Sequence, residues 1–145
     1  MGTIEQLGLL KMDFLGLRTL TVIRDALDLI KTNTGKTINI EEIPLDDPGV
    51  YDMLSQADTD GVFQLESSGM RQFLKELKPN TFEDIIAGIS LYRPGPMDQI
   101  PQYIKNKNNP QSIEYIHDSL EPVLSVTYGC IIYQEQVMQI VRDLA

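Results

Sequence analysis

The chain has 145 residues, 42% hydrophobic and 23% charged, which is ordinary for one soluble domain able to bury a core, and it carries a net charge of −9. No apolar run approaches the ~20 residues of a membrane helix, and Met1-Gly2-Thr3-Ile4-Glu5 has no basic segment leading into an apolar stretch, so no secretory signal is read. The single cysteine, Cys130, excludes an internal disulfide and a cysteine-based zinc site, and the whole suits a reducing cytoplasm.

In chain order, Leu7 to Leu15 is short and mostly apolar and predicts a buried strand, punctuated by Gly16. Leu20, Ile23, Leu27 and Ile30 then fall at helical spacing, with Arg24, Asp28 and Lys31 opposite, and Lys31 to Lys36 reads as the stop. Asp46-Asp47-Pro48 is a helix start, with an aspartate to cap it and a proline whose missing N–H costs nothing at the first helical position. That helix, carrying Val50, Met53 and Leu54, yields to a turn over Ala57 to Gly61. Val62 to Leu65 reads as a short strand or extended piece.

Met70, Phe73, Leu74 and Leu77 make a clean apolar stripe ended by Pro79. Thr81 to Asp84 resembles a capping box with Asp in place of Glu, followed by the stripe Phe82, Ile85, Ile86 and Ile89. Arg93-Pro94-Gly95-Pro96 breaks this helix. A short amphipathic helix around Ile100–Ile104, a polar loop from Lys105 to Pro110 and a final helix presenting Val137, Ile140, Val141 and Leu144 complete the chain. The expected fold class is α+β, mainly α, with one or two short strands near the start. A lone buried strand needs sheet neighbours, and both ends read as cuts through a longer protein.

Charge is unevenly spread. Residues 1–60 hold five Lys/Arg against eleven Asp/Glu, residues 61–110 six against five, and residues 111–145 one against five. Charge alone argues against a nucleic-acid protein, and any phosphate-facing surface belongs in the middle third. Asp13 stands in an apolar segment with Lys11 two residues away on the same face of a strand. A Lys11–Asp13 pair or a strand-end hydrogen bond explains it, and one aspartate is a weak metal signal, because Mg²⁺ sites for phosphoryl transfer use two or three carboxylates. Arg71, Lys75 and Lys78 recur along one helix face, which is commonly just solvated, with phosphate contact as the functional alternative. Arg93 sits on a proline-flanked turn, either a helix stop with a surface arginine or a rigidly presented guanidinium for an anion. Thr127-Tyr128-Gly129 and Tyr133-Gln134-Glu135-Gln136 stand at the start of the last helix, where free N–H groups can face an anion, although taken alone Glu135 there is better read as simply complementing the helix dipole. His117 has no ligand neighbour at useful spacing, and a metal-dependent hydrolase would need more Asp, Glu or His.

Four strings then act together: Lys11 to Thr21, Asp58 to Ser67, Leu91 to Met97, and Tyr128-Gly129 with Tyr133 to Met138. In order and spacing they resemble the C-family replicative DNA polymerases of bacteria. The resemblance implies that residues 1–18 end a palm, with Asp13 as the last of three metal-binding aspartates and Lys11 beside it in the catalytic segment. Residues 19–145 would begin the fingers. It implies Arg93 near the incoming triphosphate, Tyr128 and Gln134 as further substrate-binding residues, and Arg71, Lys75 and Lys78 toward DNA. Implied partners are primer-template DNA, deoxynucleoside triphosphates and other replicase subunits including a sliding clamp, with Mg²⁺ as cofactor and no membrane. The two upstream aspartates are missing from this sequence, so the 145 residues alone are expected to be inactive. The rival reading is a non-catalytic helical nucleotide- or DNA-binding module.

Overall fold

The structure, a computed structural model, describes residues 6–10 and 12–144. The chain divides into two compact units, residues 1–43 and 44–145. In the first, helix α1 (Arg18–Thr34) ends at Gly35, which adopts φ 72° and returns its N–H to the Lys31 carbonyl. This left-handed stop is cheap for glycine. None of the α1 residues is buried.

The expected strands are absent. Among the described residues there is no strand, so the α+β class is corrected to an all-helical one. Residues 9–10 and 12–17 have no regular structure, and Leu10, Phe14 and Leu15 are 85%, 90% and 96% exposed. A strand is held by backbone bonds from neighbouring strands, and no described residue supplies a partner. Val62 to Leu65 also turns rather than extends. The Leu65 N–H reaches the Val62 carbonyl, Gln64 takes φ 65°, and the buried Thr59 hydroxyl donates to the Leu65 carbonyl at 2.6 Å.

The second unit is a set of short helices around one core: α2 (Pro48–Gln56), α3 (Ser68–Leu77), α4 (Phe82–Leu91), α5 (Ile100–Asn108), the single turn α6 (Glu121–Leu124) and α7 (Gln134–Leu144). Their starts follow local chemistry. Asp47 accepts from the Gly49 N–H at 2.8 Å with Pro48 behind it. Thr81 and Asp84 form the reciprocal box. The α3 stripe Met70, Phe73, Leu74 and Leu77 is fully buried, joined by Leu54, Leu65, Ala87, Leu91 and Tyr103.

Helix α4 departs from its expected orientation. Its buried residues are Asp84, Ala87, Gly88 and Leu91, while Phe82 and Ile86 are exposed and Ile85 and Ile89 only partly covered. Gly88 decides this, because a Cβ there would lie 3.1 Å from Leu77 Cδ2 and 3.6 Å from Phe73 Cε1. The small face therefore lets α3 approach closely. Helix α5 runs on to Asn108, through the segment expected as a polar loop, because Tyr103 and Asn106 give it a buried side. No helix among the described residues is long and apolar enough to cross a membrane.

Candidate functional site

Arg93 follows directly on α4. The Tyr92 ring stacks on Phe73 with centroids 6.0 Å apart, and its hydroxyl lies against Gly69, where any Cβ would overlap it. The Arg93 N–H then donates to the Leu91 carbonyl at 2.8 Å and its own carbonyl accepts from Met97 at 3.2 Å. With Pro94 and Pro96 on either side of Gly95 at φ 105°, the turn is tightly specified. The Arg93 side chain is exposed and, among the described residues, makes no hydrogen bond or ion pair. The other arginines of this unit do: Arg71 pairs with Asp60 and Arg142 with Asp143.

Arg93 forms one side of a cleft of about 360 Å³ shared with Ser90, Pro96, Ile132, Tyr133, Gln134 and Glu135. Arg93 is the cation of this lining and Glu135 the anion. A second recess of about 180 Å³, also bordered by Arg93, is lined by Gln64, Met70, Ile89 and Tyr92. Burial, and next the Glu83 carboxylate, push the Tyr133 phenol up from its usual range, so it stays a neutral donor.

The second unit also holds a buried ion pair. Lys107 Nζ is 2.9 Å from Asp84 Oδ2 and also donates to the carbonyls of Leu77 at 3.0 Å and Lys78 at 2.8 Å. The same carboxylate accepts the backbone N–H groups of Asn80 and Thr81. One side chain of α5 thus ties together the start of α4 and the end of α3. Tyr103, wholly buried, points its hydroxyl at Asp84 Oδ1 from 3.5 Å, and burial followed by that carboxylate raises its phenol far above the ordinary value.

The other sequence-predicted residues scatter. Asp13 is exposed in the irregular segment of the first unit, and Lys11 lies outside the described residues. Among the described residues no three His, Cys, Asp or Glu side chains come together in a cluster that could hold a metal ion. Gln134 joins Arg93 in its cleft. Tyr128 does not line it: its ring meets Tyr103 edge-on at 5.2 Å, its backbone is left-handed at φ 51°, and its carbonyl accepts from Asn106 at 2.7 Å. The basic stripe also separates. Arg71 Nε donates to the Ala57 carbonyl at 3.0 Å, alongside its bond to Asp60. Lys75 is exposed on α3, and Lys78 lies past the helix end as its left-handed cap.

A family model described as the bacterial DNA polymerase III alpha subunit finger domain matches residues 19–145. The chain belongs to that finger-domain family. It is 55% identical over all 145 residues to the DNA polymerase III subunit alpha of Staphylococcus aureus strain COL, of which it covers 14%. It is 52% identical, again over its whole length, to that of Halalkalibacterium halodurans, covering 13%. The chain therefore spans about one-seventh of the length of these relatives.

Within the finger-domain sequence, Ser90 of the cleft escaped sequence reasoning, while Tyr133 and Glu135 read only as part of the string around Gln134. The available signal for Ser90 was adjacency, since it lies three residues before Arg93. The Asp84–Lys107 pair left no such signal, since Asp84 reads as a cap and Lys107 as part of a polar loop.

Proposed function

We propose that this chain is the finger part of a DNA-directed DNA polymerase catalytic subunit, and that the Arg93 cleft receives the triphosphate of an incoming deoxynucleotide. The whole protein would extend a primer 3′ end on template DNA in the bacterial cytoplasm, in company with other replicase subunits including a sliding clamp. One observation carries the nucleotide assignment. Arg93 presents an uncommitted guanidinium from a rigid turn into a cleft whose opposite wall offers the Tyr133 and Gln134 side chains. A planar fork held at low entropic cost suits bidentate phosphate binding. Family membership and the identity to polymerase subunits support the same reading.

Residues 1–18 are proposed to close a palm. There Asp13, with Lys11 beside it, would supply one carboxylate of a Mg²⁺ set whose other carboxylates lie outside this sequence. Bound Mg²⁺ supplies charge neutralisation of the phosphates and activation of the primer hydroxyl. The residues of this chain bind and orient. Tyr128 supports the site through its packing on Tyr103 rather than by lining the cleft. For DNA contact the exposed Lys75 and Lys78 are available, while the Arg71 guanidinium is engaged with Ala57 and Asp60. The 145 residues alone are expected to be inactive.

In the intact polymerase, Arg93→Ala should raise the nucleotide KM or lower kcat with a loss of about 1.5–3 kcal/mol, the worth of a charge-assisted hydrogen bond. Lys75→Ala with Lys78→Ala should instead weaken DNA binding and flatten its salt dependence, by about one slope unit for each phosphate no longer neutralised. Nucleotide kinetics that stay unchanged in Arg93→Ala while DNA binding falls would refute the assignment of this turn.

A further inference from the structure

Gln136 is a neutral polar side chain, 5% exposed, with every hydrogen-bonding position of its amide in use. Its Oε1 accepts the backbone N–H groups of Ile132 and Tyr133, both at 2.9 Å. Its Nε2 donates to the Val123 carbonyl at 3.2 Å and to Thr127 Oγ1 at 2.8 Å. Thr127, itself wholly buried, donates its hydroxyl hydrogen bond to the Cys130 carbonyl at 2.6 Å. One amide thereby connects the α6 turn, the Thr127 turn and the two residues that lead into α7. Ile132 and Tyr133 are also two of the residues forming the wall opposite Arg93. Gln134 and Glu135 of the wall belong to α7, and the Tyr133 carbonyl accepts from the Gln136 and Val137 N–H groups, but among the described residues the Ile132 and Tyr133 N–H groups are held by this amide alone, so it fixes where the irregular part of the wall stands.

We infer that Gln136 is a positioning residue for the Arg93 cleft: it touches no ligand, and it sets the distance between Arg93 and the Tyr133–Gln134 wall through the Ile132 and Tyr133 backbone. The inference rests on the nucleotide reading of that cleft and deepens it. Its physical basis is directional. Only a side chain with two acceptor lone pairs at one end and two N–H groups at the other satisfies this set of four partners, all of them uncharged. An apolar replacement of the same length leaves two part-buried N–H groups without this partner and frees the wall to move. Misplacement of a binding wall by about 1 Å is enough to lose on the order of a hundredfold in rate.

Two variants test it in the intact polymerase. Gln136→Met keeps the volume and removes all four bonds. It should raise the nucleotide KM by on the order of tenfold while leaving primer-template affinity unchanged. Gln136→Glu provides a readout that a merely structural role would not move. When protonated, its carboxyl accepts the two N–H groups and donates to Thr127, as the amide does. When ionised, it loses that donor and turns oxygen lone pairs toward both Thr127 Oγ1 and the Val123 carbonyl. Burial raises a carboxyl's pKa into the working range. The KM defect of Gln136→Glu relative to wild type should therefore shrink steadily from alkaline pH down to about pH 6. A wild-type nucleotide KM in Gln136→Met, or a Gln136→Glu defect that ignores pH, overturns the inference. If Gln136→Met does not fold, the pH profile of Gln136→Glu decides. Arg93→Ala is measured beside them. If it too leaves the nucleotide KM untouched, the nucleotide reading fails, whereas a raised KM in Arg93→Ala with normal Gln136 variants removes only the positioning role.

Discussion

Replacing Lys107 with methionine should destabilise the second unit far more than loss of an ordinary surface lysine. The ammonium group has three protons and three oxygen partners: Asp84 Oδ2 at 2.9 Å and the carbonyls of Leu77 and Lys78. The side chains of Lys107 and Asp84 are 9% and 1% exposed, so water has little access to the pair. In Lys107→Met the Asp84 carboxylate stays buried with only neutral donors, the Asn80 and Thr81 N–H groups and the Tyr103 hydroxyl. Breaking a buried pair on one side costs about 3–5 kcal/mol. Small domains have a total stability of about 5–15 kcal/mol, so at least a fifth of it would be lost. Urea unfolding of the 145-residue chain, followed by far-ultraviolet circular dichroism, measures this as a fall in midpoint at constant slope. Adding Asp84→Asn removes the stranded charge and keeps an acceptor for Asn80 and Thr81, so the double variant should be more stable than Lys107→Met alone. A cost of less than about 1 kcal/mol, typical of an exposed pair, or a double variant no better than the single, would refute the argument.

Two further outcomes follow from particular groups. Tyr103 has a phenol raised by burial and by Asp84, so in the folded protein it stays neutral where the unfolded chain ionises near pH ~10. Its contribution is intact below that pH and is lost as pH climbs above it, by about 1.4 kcal/mol per pH unit. Urea titrations across alkaline pH should show this slope, and it should become shallower in Tyr103→Phe, with a remainder from Tyr128 and Tyr133, whose phenols burial also raises. Separately, Asp13→Asn in the intact polymerase should abolish primer extension with the circular dichroism spectrum unchanged, and near-normal extension at ordinary Mg²⁺ would remove Asp13 from the metal set.

The sequence by itself determined what depends on near neighbours. The Asp47-Pro48 start, the Thr81–Asp84 box and the Gly35 stop stand where the sequence places them, because a cap joins a side chain or a backbone N–H to groups no more than four residues away. The α3 stripe is buried as its spacing demands, and the four motif strings pointed to the family that the comparison shows. Tertiary structure decided what depends on partners distant along the chain. A strand from Leu7 to Leu15 was a sound reading of an apolar run, yet strands exist only through other strands, and the described residues hold none. The orientation of α4 turned on Gly88 meeting Leu77 and Phe73, a fit that periodicity among isoleucines does not reveal. Arg71, Lys75 and Lys78 look alike as a stripe, but only folding brings Asp60 and the Ala57 carbonyl to the first of them. Likewise Tyr128 and Tyr133 are equivalent in a string, and it is the Gln136 amide and the Tyr103 ring that send one to the cleft wall and the other against the core.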